Sequence, residues 1–79
     1  MSKKSYIQLQ LFASLKIFMP PSADNYAIEP GMTVGALLTQ LDVPKTQIKL
    51  VFVDGVKVDL ATTLAGGERV GIFPPVGGG

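Results

Sequence analysis

The chain has 79 residues, one small domain whose folding buries roughly 60% of the surface the unfolded chain exposes. It contains no Cys and no His, which excludes disulfides, thiol chemistry and the usual ligands of a zinc site. A net charge of +1, with no like-charge run longer than Lys3-Lys4, argues against a nucleic-acid partner, and no apolar run is long enough to span a bilayer.

In chain order, Tyr6 to Phe12 alternates, with Ile7, Leu9 and Leu11 on one face and Gln8 and Gln10 on the other. That pattern predicts a half-buried strand. Ala13 to Phe18 has no clean period, and Met19-Pro20-Pro21-Ser22 breaks the chain. A second strand is predicted over Asn25 to Glu29, and Pro30-Gly31 turns the chain. Thr33 is a helix N-cap candidate, followed by Val34, Leu37, Leu38 and Leu41 on one helical stripe. Met32 and Leu37 are spaced for a hydrophobic staple, while Ala36 leaves the capping box incomplete. Gly35 weakens the first turn, and Asp42-Val43-Pro44 is expected to end the helix, because Pro44 disfavours helical geometry at Val43.

Leu50 to Val53 is a short apolar strand. Asp54-Gly55 predicts a two-residue type I′ hairpin, returning through Val56 to Val58. Asp59 to Ala65 reads as a loop anchored by Leu60 or Leu64, and Gly66-Gly67-Glu68 as a turn. Val70 to Phe73 is the last strand, with Val70 and Ile72 on one face and Gly71 and Phe73 on the other. This order predicts an α+β domain, a mixed four- to five-stranded sheet with one main helix packed on one face. The β-grasp arrangement satisfies it, with the first and last strands parallel at the sheet centre. We divide the chain into a domain over 1–73 and a flexible, reactive C-terminal tail over 74–79.

The tail carries the chemistry the rest of the chain lacks. Pro74-Pro75 fixes φ and removes two N–H donors, so the sheet ladder should stop there and an arm leave it. From Pro74 to Gly79 the arm reaches about 20 Å at full extension. With Val76 and then Gly77, Gly78 and Gly79 it can thread a narrow channel and present the Gly79 carboxylate to another protein's active site. The plainer alternative is a glycine-rich linker end. Phe73 and Phe12, with Ile72, are candidates for an apolar docking patch near the tail, although Ile72 reads better as core. Asp54 reads as a turn residue, Asp59 and Glu68 as solvated loop residues. The scattered carboxylates predict no metal site.

These pieces together resemble the ubiquitin-like sulfur-carrier family of molybdopterin and thiamine biosynthesis. The resemblance rests on Leu11-Phe12-Ala13, Pro30-Gly31-Met32-Thr33-Val34, Val53-Asp54-Gly55, Gly67-Glu68-Arg69-Val70 and Phe73-Pro74-Pro75-Val76-Gly77-Gly78-Gly79. The ending is most similar to the small subunit of molybdopterin synthase. Two positions depart from the family pattern: Gly77 makes a triplet where a Gly-Gly pair is usual, and Lys16 stands where Arg is frequent.

The resemblance implies a carrier rather than an enzyme. Its Gly79 carboxylate would be activated by adenylation on an E1-like enzyme that uses ATP. Sulfur from a donor protein would then displace AMP to give a thiocarboxylate, the logic of covalent catalysis with the carrier as substrate. A larger synthase subunit, of molybdopterin synthase or thiazole synthase, would receive that sulfur. No cofactor would bind the chain itself, and the expected compartment is the cytoplasm. Alternatives are sulfur supply to thiamine thiazole or tungsten cofactor, a non-covalent ubiquitin-like interaction module, or a protein modifier joined to lysines.

Overall fold

Alternation at the N-terminus builds the first wall of the core. The computed structural model describes residues 5–75, and in it strand β1, Ser5–Leu11, buries Ile7, Leu9 and Leu11 while Tyr6, Gln8 and Gln10 face out. Strand β2, Tyr26–Ile28, pairs antiparallel with β1. A two-residue strand β3, Met32–Thr33, leads into helix α1, Val34–Gln40. Strands β4, Leu50–Val53, and β5, Val56–Val58, form the hairpin. The short β6, Thr63–Leu64, pairs with β3, and β7, Arg69–Phe73, closes the main sheet. The main sheet has the order β2-β1-β7-β4-β5. Strands β1 and β7 run parallel and the other pairs antiparallel. This is the β-grasp arrangement expected from the order of elements.

The helix stripe behaves as its spacing predicts over most of its length. Val34, Leu37 and Leu38 are fully buried, and they meet Ile7, Leu9, Leu11, Val70 and Ile72 in one core. Thr33 is the N-cap: its Oγ1 accepts from the Ala36 N–H at 3.1 Å. Leu41 differs from expectation. The helix stops at Gln40, so Leu41 is its C-cap and only half-buried. Pro44 is not what stops it. Asp42 adopts a left-handed φ of 62°. The Asp42 N–H donates to the Thr39 carbonyl at 3.1 Å and the Val43 N–H to the Leu38 carbonyl at 3.0 Å. These are the two bonds of a Schellman cap, here with Asp in the place glycine usually takes.

Gly35 also has a different part from the one its helix propensity suggests. Its N–H donates to the Leu60 carbonyl at 2.9 Å, and a Cβ at this position would sit 3.3 Å from that oxygen. The glycine lets the loop after β5 lie directly against the first turn of α1. The segment read as a loop over Asp59 to Ala65 therefore holds the β6 strand, anchored by the buried Leu64. The ambiguous Ala13–Phe18 segment is a 3₁₀ turn that buries Leu15.

The hairpin has φ of 52° at Asp54 and 83° at Gly55, both positive as a type I′ turn requires. Three acidic residues read as turn or solvated groups do more than that. Asp54 Oδ1 accepts from the Arg69 N–H at 3.0 Å, tying the hairpin to the start of β7. Asp59 Oδ1 accepts from the Ala61 N–H at 2.9 Å. Glu68 accepts from the Ala65 N–H at 2.8 Å and the Gly66 N–H at 2.7 Å. Because these bonds lie at or near the surface, removing such an acceptor costs roughly 0.5–1.5 kcal/mol. Glu68→Ala is expected to fall toward the lower end, because Ala65 is exposed and water replaces part of the loss. Thermal unfolding of the variant measures it, and an unchanged melting temperature would return Glu68 to the solvated class.

Candidate functional site

Burying one face of the sheet leaves the other to be explained. With Leu9 and Leu11 of β1, Val70 and Ile72 of β7 and Val51 of β4 in the core, alternation places Gln10, Gly71 and Phe52 on the opposite face. Phe12 and Phe73 follow the same alternation. Register then brings the aromatic residues together. Leu11 pairs with Ile72, which sets Phe12 beside Phe73, and the Phe12 N–H donates to the Ile72 carbonyl at 3.1 Å. Phe52 pairs with Gly71. The Phe12 and Phe73 rings stack with centroids 4.2 Å apart and planes 6° apart. Phe52 meets Phe73 edge-on at 5.5 Å and 80°.

Such ring pairs contribute about 0.5–1.5 kcal/mol each beyond their buried area, so the cluster is held in place although all three rings are only half-buried. Gly71 forms its floor. A Cβ there would lie 3.5 Å from Phe12 and 3.7 Å from Phe73, so any side chain would fill the hollow between the rings. The hollow has a volume of about 280 Å³ and is bounded by Gln10 and Arg69 as well as the phenylalanines. The Arg69 Nε–H donates to Gln8 Oε1 at 3.2 Å, a polar border along one side.

The same strand that carries Phe73 leads out of the sheet. The last bond of the ladder runs from the Lys49 N–H to the Phe73 carbonyl at 2.8 Å. Pro74, half-buried, and Pro75, exposed, follow outside any strand. Val76, Gly77, Gly78 and Gly79 lie outside the described residues. Of the three residues considered for a docking patch, Phe12 and Phe73 lie on this open face and Ile72 is core. Phe52 was missed. Leu50-Val51-Phe52-Val53 is apolar throughout, so alternation could not assign its faces, and only the pairing with Gly71 does so. Among the described residues, no group of three or more His, Cys, Asp or Glu side chains gathers to hold a metal ion. No helix among them is long and apolar enough to cross a membrane.

The sequence profile of the ThiS family matches residues 9–79. The chain belongs to the ThiS family. Several solved structures are similar to it in fold. The HVO 2177 protein of Haloferax volcanii superimposes with a TM-score of 0.76 at 25% identity, over 96% of this chain and 88% of that one. Small archaeal modifier protein 1 of H. volcanii gives 0.67 at 22% identity, over 91% and 99% of the two chains. A Pyrococcus furiosus protein, provisionally assigned as molybdopterin converting factor subunit 1, gives 0.64 at 21%, over 91% and 99%. No curated protein matches this sequence. The last two likenesses bear on the fold, a ubiquitin-like β-grasp. Members of the ThiS family are small carrier proteins rather than catalysts.

Proposed function

We propose that this ThiS-family protein carries sulfur at its C-terminal carboxylate for molybdopterin biosynthesis. An E1-like enzyme docks on the Phe12, Phe52 and Phe73 face and receives the arm from Pro74 to Gly79. It transfers AMP from ATP to the Gly79 carboxylate with release of pyrophosphate. Hydrosulfide supplied by a sulfur donor then attacks the acyl carbon and expels AMP, leaving the thiocarboxylate, which a larger synthase subunit uses in the cytoplasm. The observation that carries this reading is the continuity of β7: the strand presents Phe73 to an apolar open face and runs straight into Pro74-Pro75. An adenylating partner seated on the rings is thereby placed at the root of the arm. The molybdopterin branch rests on the resemblance of the Pro-Pro-Val-Gly ending to the small subunit of molybdopterin synthase.

The test is intact mass after incubation with the adenylating enzyme, ATP and a sulfur donor. The expected product is heavier by the difference between one sulfur and one oxygen atom. Phe73→Asp places a charge in the ring cluster and is expected to slow this gain by roughly tenfold or more, the scale of losing one interface anchor. If the wild-type protein gains no sulfur and instead becomes linked through isopeptide bonds to lysines, it is a modifier. If Phe73→Asp gains sulfur at the wild-type rate while folded, the rings are not the docking face.

A further inference from the structure

At the far edge of the sheet from β2, a groove of about 320 Å³ runs between β5 and the turn before β4. Its floor is apolar, made by Ile48, Val58 and Leu60. Lys45, Lys49 and Lys57 stand around it, all exposed. These are three of the seven cationic residues in a chain of net charge +1. The one acid that lines the groove, Asp59, has Oδ1 committed to the Ala61 N–H. Three other acids, Asp24, Asp54 and Glu68, border a separate cleft beside β1. The groove is thus locally positive although the molecule is nearly neutral.

Strand β5 adds a direction. Among the described residues it pairs only with β4, which leaves its outer edge without a strand partner there. Val53 and Val56 close the two-residue hairpin, and Lys57 lies opposite Phe52. In an antiparallel ladder the pair next to the closing pair is the one that does not exchange hydrogen bonds. The Lys57 main-chain N–H and C=O therefore point away from β4, over the groove edge. An extended chain laid there gains main-chain bonds from the strand edge and side-chain pockets from the floor.

We propose that this edge groove binds a short extended segment of a partner protein, apolar at its centre and flanked by carboxylates. The apolar side chains enter the Ile48, Val58 and Leu60 floor, and the carboxylates meet Lys45, Lys49 and Lys57. The groove flanks the Phe12, Phe52 and Phe73 face, since Lys57 lies opposite Phe52 and the Lys49 N–H donates to the Phe73 carbonyl, so a segment seated in it lies beside whatever occupies that face.

The test uses the full chain, labelled with nitrogen-15, and a synthetic peptide of alternating isoleucine and serine flanked by aspartate pairs. Saturable amide shifts are expected at Lys45, Ile48, Lys49 and from Lys57 to Leu60. Binding should weaken as salt rises toward 1 M, where the screening length falls to about 3 Å. Reversing all three charges, with Lys45→Glu, Lys49→Glu and Lys57→Glu in one chain, should weaken it by about tenfold or more, from three ion pairs acting together. These side chains are exposed, and the amide spectrum of the variant reports whether it is folded. Should the triple variant misfold, Lys49→Gln alone is expected to weaken binding measurably without altering the spectrum elsewhere. The proposal is overturned if the peptide does not bind or its shifts map to the aromatic face. Equal binding by a lysine-flanked peptide, or binding undiminished by charge reversal, overturns it too. Phosphatidylglycerol vesicles that shift the same amides more strongly than the peptide would assign the groove to a lipid surface instead.

Discussion

Leu37→Ala is expected to destabilise the domain by roughly 2–5 kcal/mol, the cost of removing buried methyl groups and leaving a cavity. Leu37 is completely buried in the core beneath α1. A small domain has about 5–15 kcal/mol in total, so the variant should unfold at a much lower urea concentration or fail to accumulate. Leu41→Ala is the internal comparison. Leu41 lies on the same stripe in sequence, but as the C-cap it is half-buried. Its truncation should cost clearly less. Equal midpoints for the two variants in denaturant titration would contradict the early helix stop at Asp42, and two near-neutral variants would place the stripe in solvent.

The contrast between these leucines marks where sequence reasoning reaches and where it ends. Periodicity reports which residues can share a face, so Ile7, Leu9, Leu11, Val34, Leu37 and Leu38 were legible as core. It does not report where a helix ends when the terminator is an unexpected left-handed residue. Asp42 belongs to the expected stop, but the reason given for it was the restriction Pro44 puts on Val43 and not the left-handed φ at Asp42. Alternation also fails in runs that are apolar on both faces. Val51 and Phe52 are adjacent in such a run, and only the pairing of β4 with β7 sends one to the core and the other to the aromatic face.

The ring cluster was half legible for the same reason. Phe12 and Phe73 stand out because each follows alternating strand residues, whereas Phe52 and the floor at Gly71 depend on register across strands distant in sequence. Backbone-directed carboxylates were invisible. Glu68 reaches back to Ala65 and Gly66 only because that turn folds over it. The expected reactive end, Val76 to Gly79, lies outside the described residues, so its part in the chain is a matter for the experiment below.

That reading makes its sharpest prediction at Gly79. Adding one residue beyond Gly79 is expected to abolish sulfur gain while leaving folding intact. The extension moves the reacting carboxylate by about 3.5 Å. Acyl transfer depends on near-attack geometry, and a misplacement of about 1 Å can cost on the order of a hundredfold. The core of this domain is built from Ile7 to Ile72, so an added residue at the end should leave the melting temperature unchanged. Gly78→Val should also impair transfer, because the added bulk and lost backbone freedom oppose passage through a narrow channel. Removing Gly79 is the weaker test: it leaves Gly77-Gly78 as a Gly-Gly end, and an arm shorter by one residue retains some activity if it can slide toward the reacting position. Pyrophosphate exchange measures adenylation and intact mass measures thiocarboxylate, so the two steps separate. An extended protein that stays untrimmed, folds normally and gains sulfur at the wild-type rate would show that the reacting group is not the Gly79 carboxylate, and the sulfur-carrier function would have to be abandoned for a non-covalent role of the same fold.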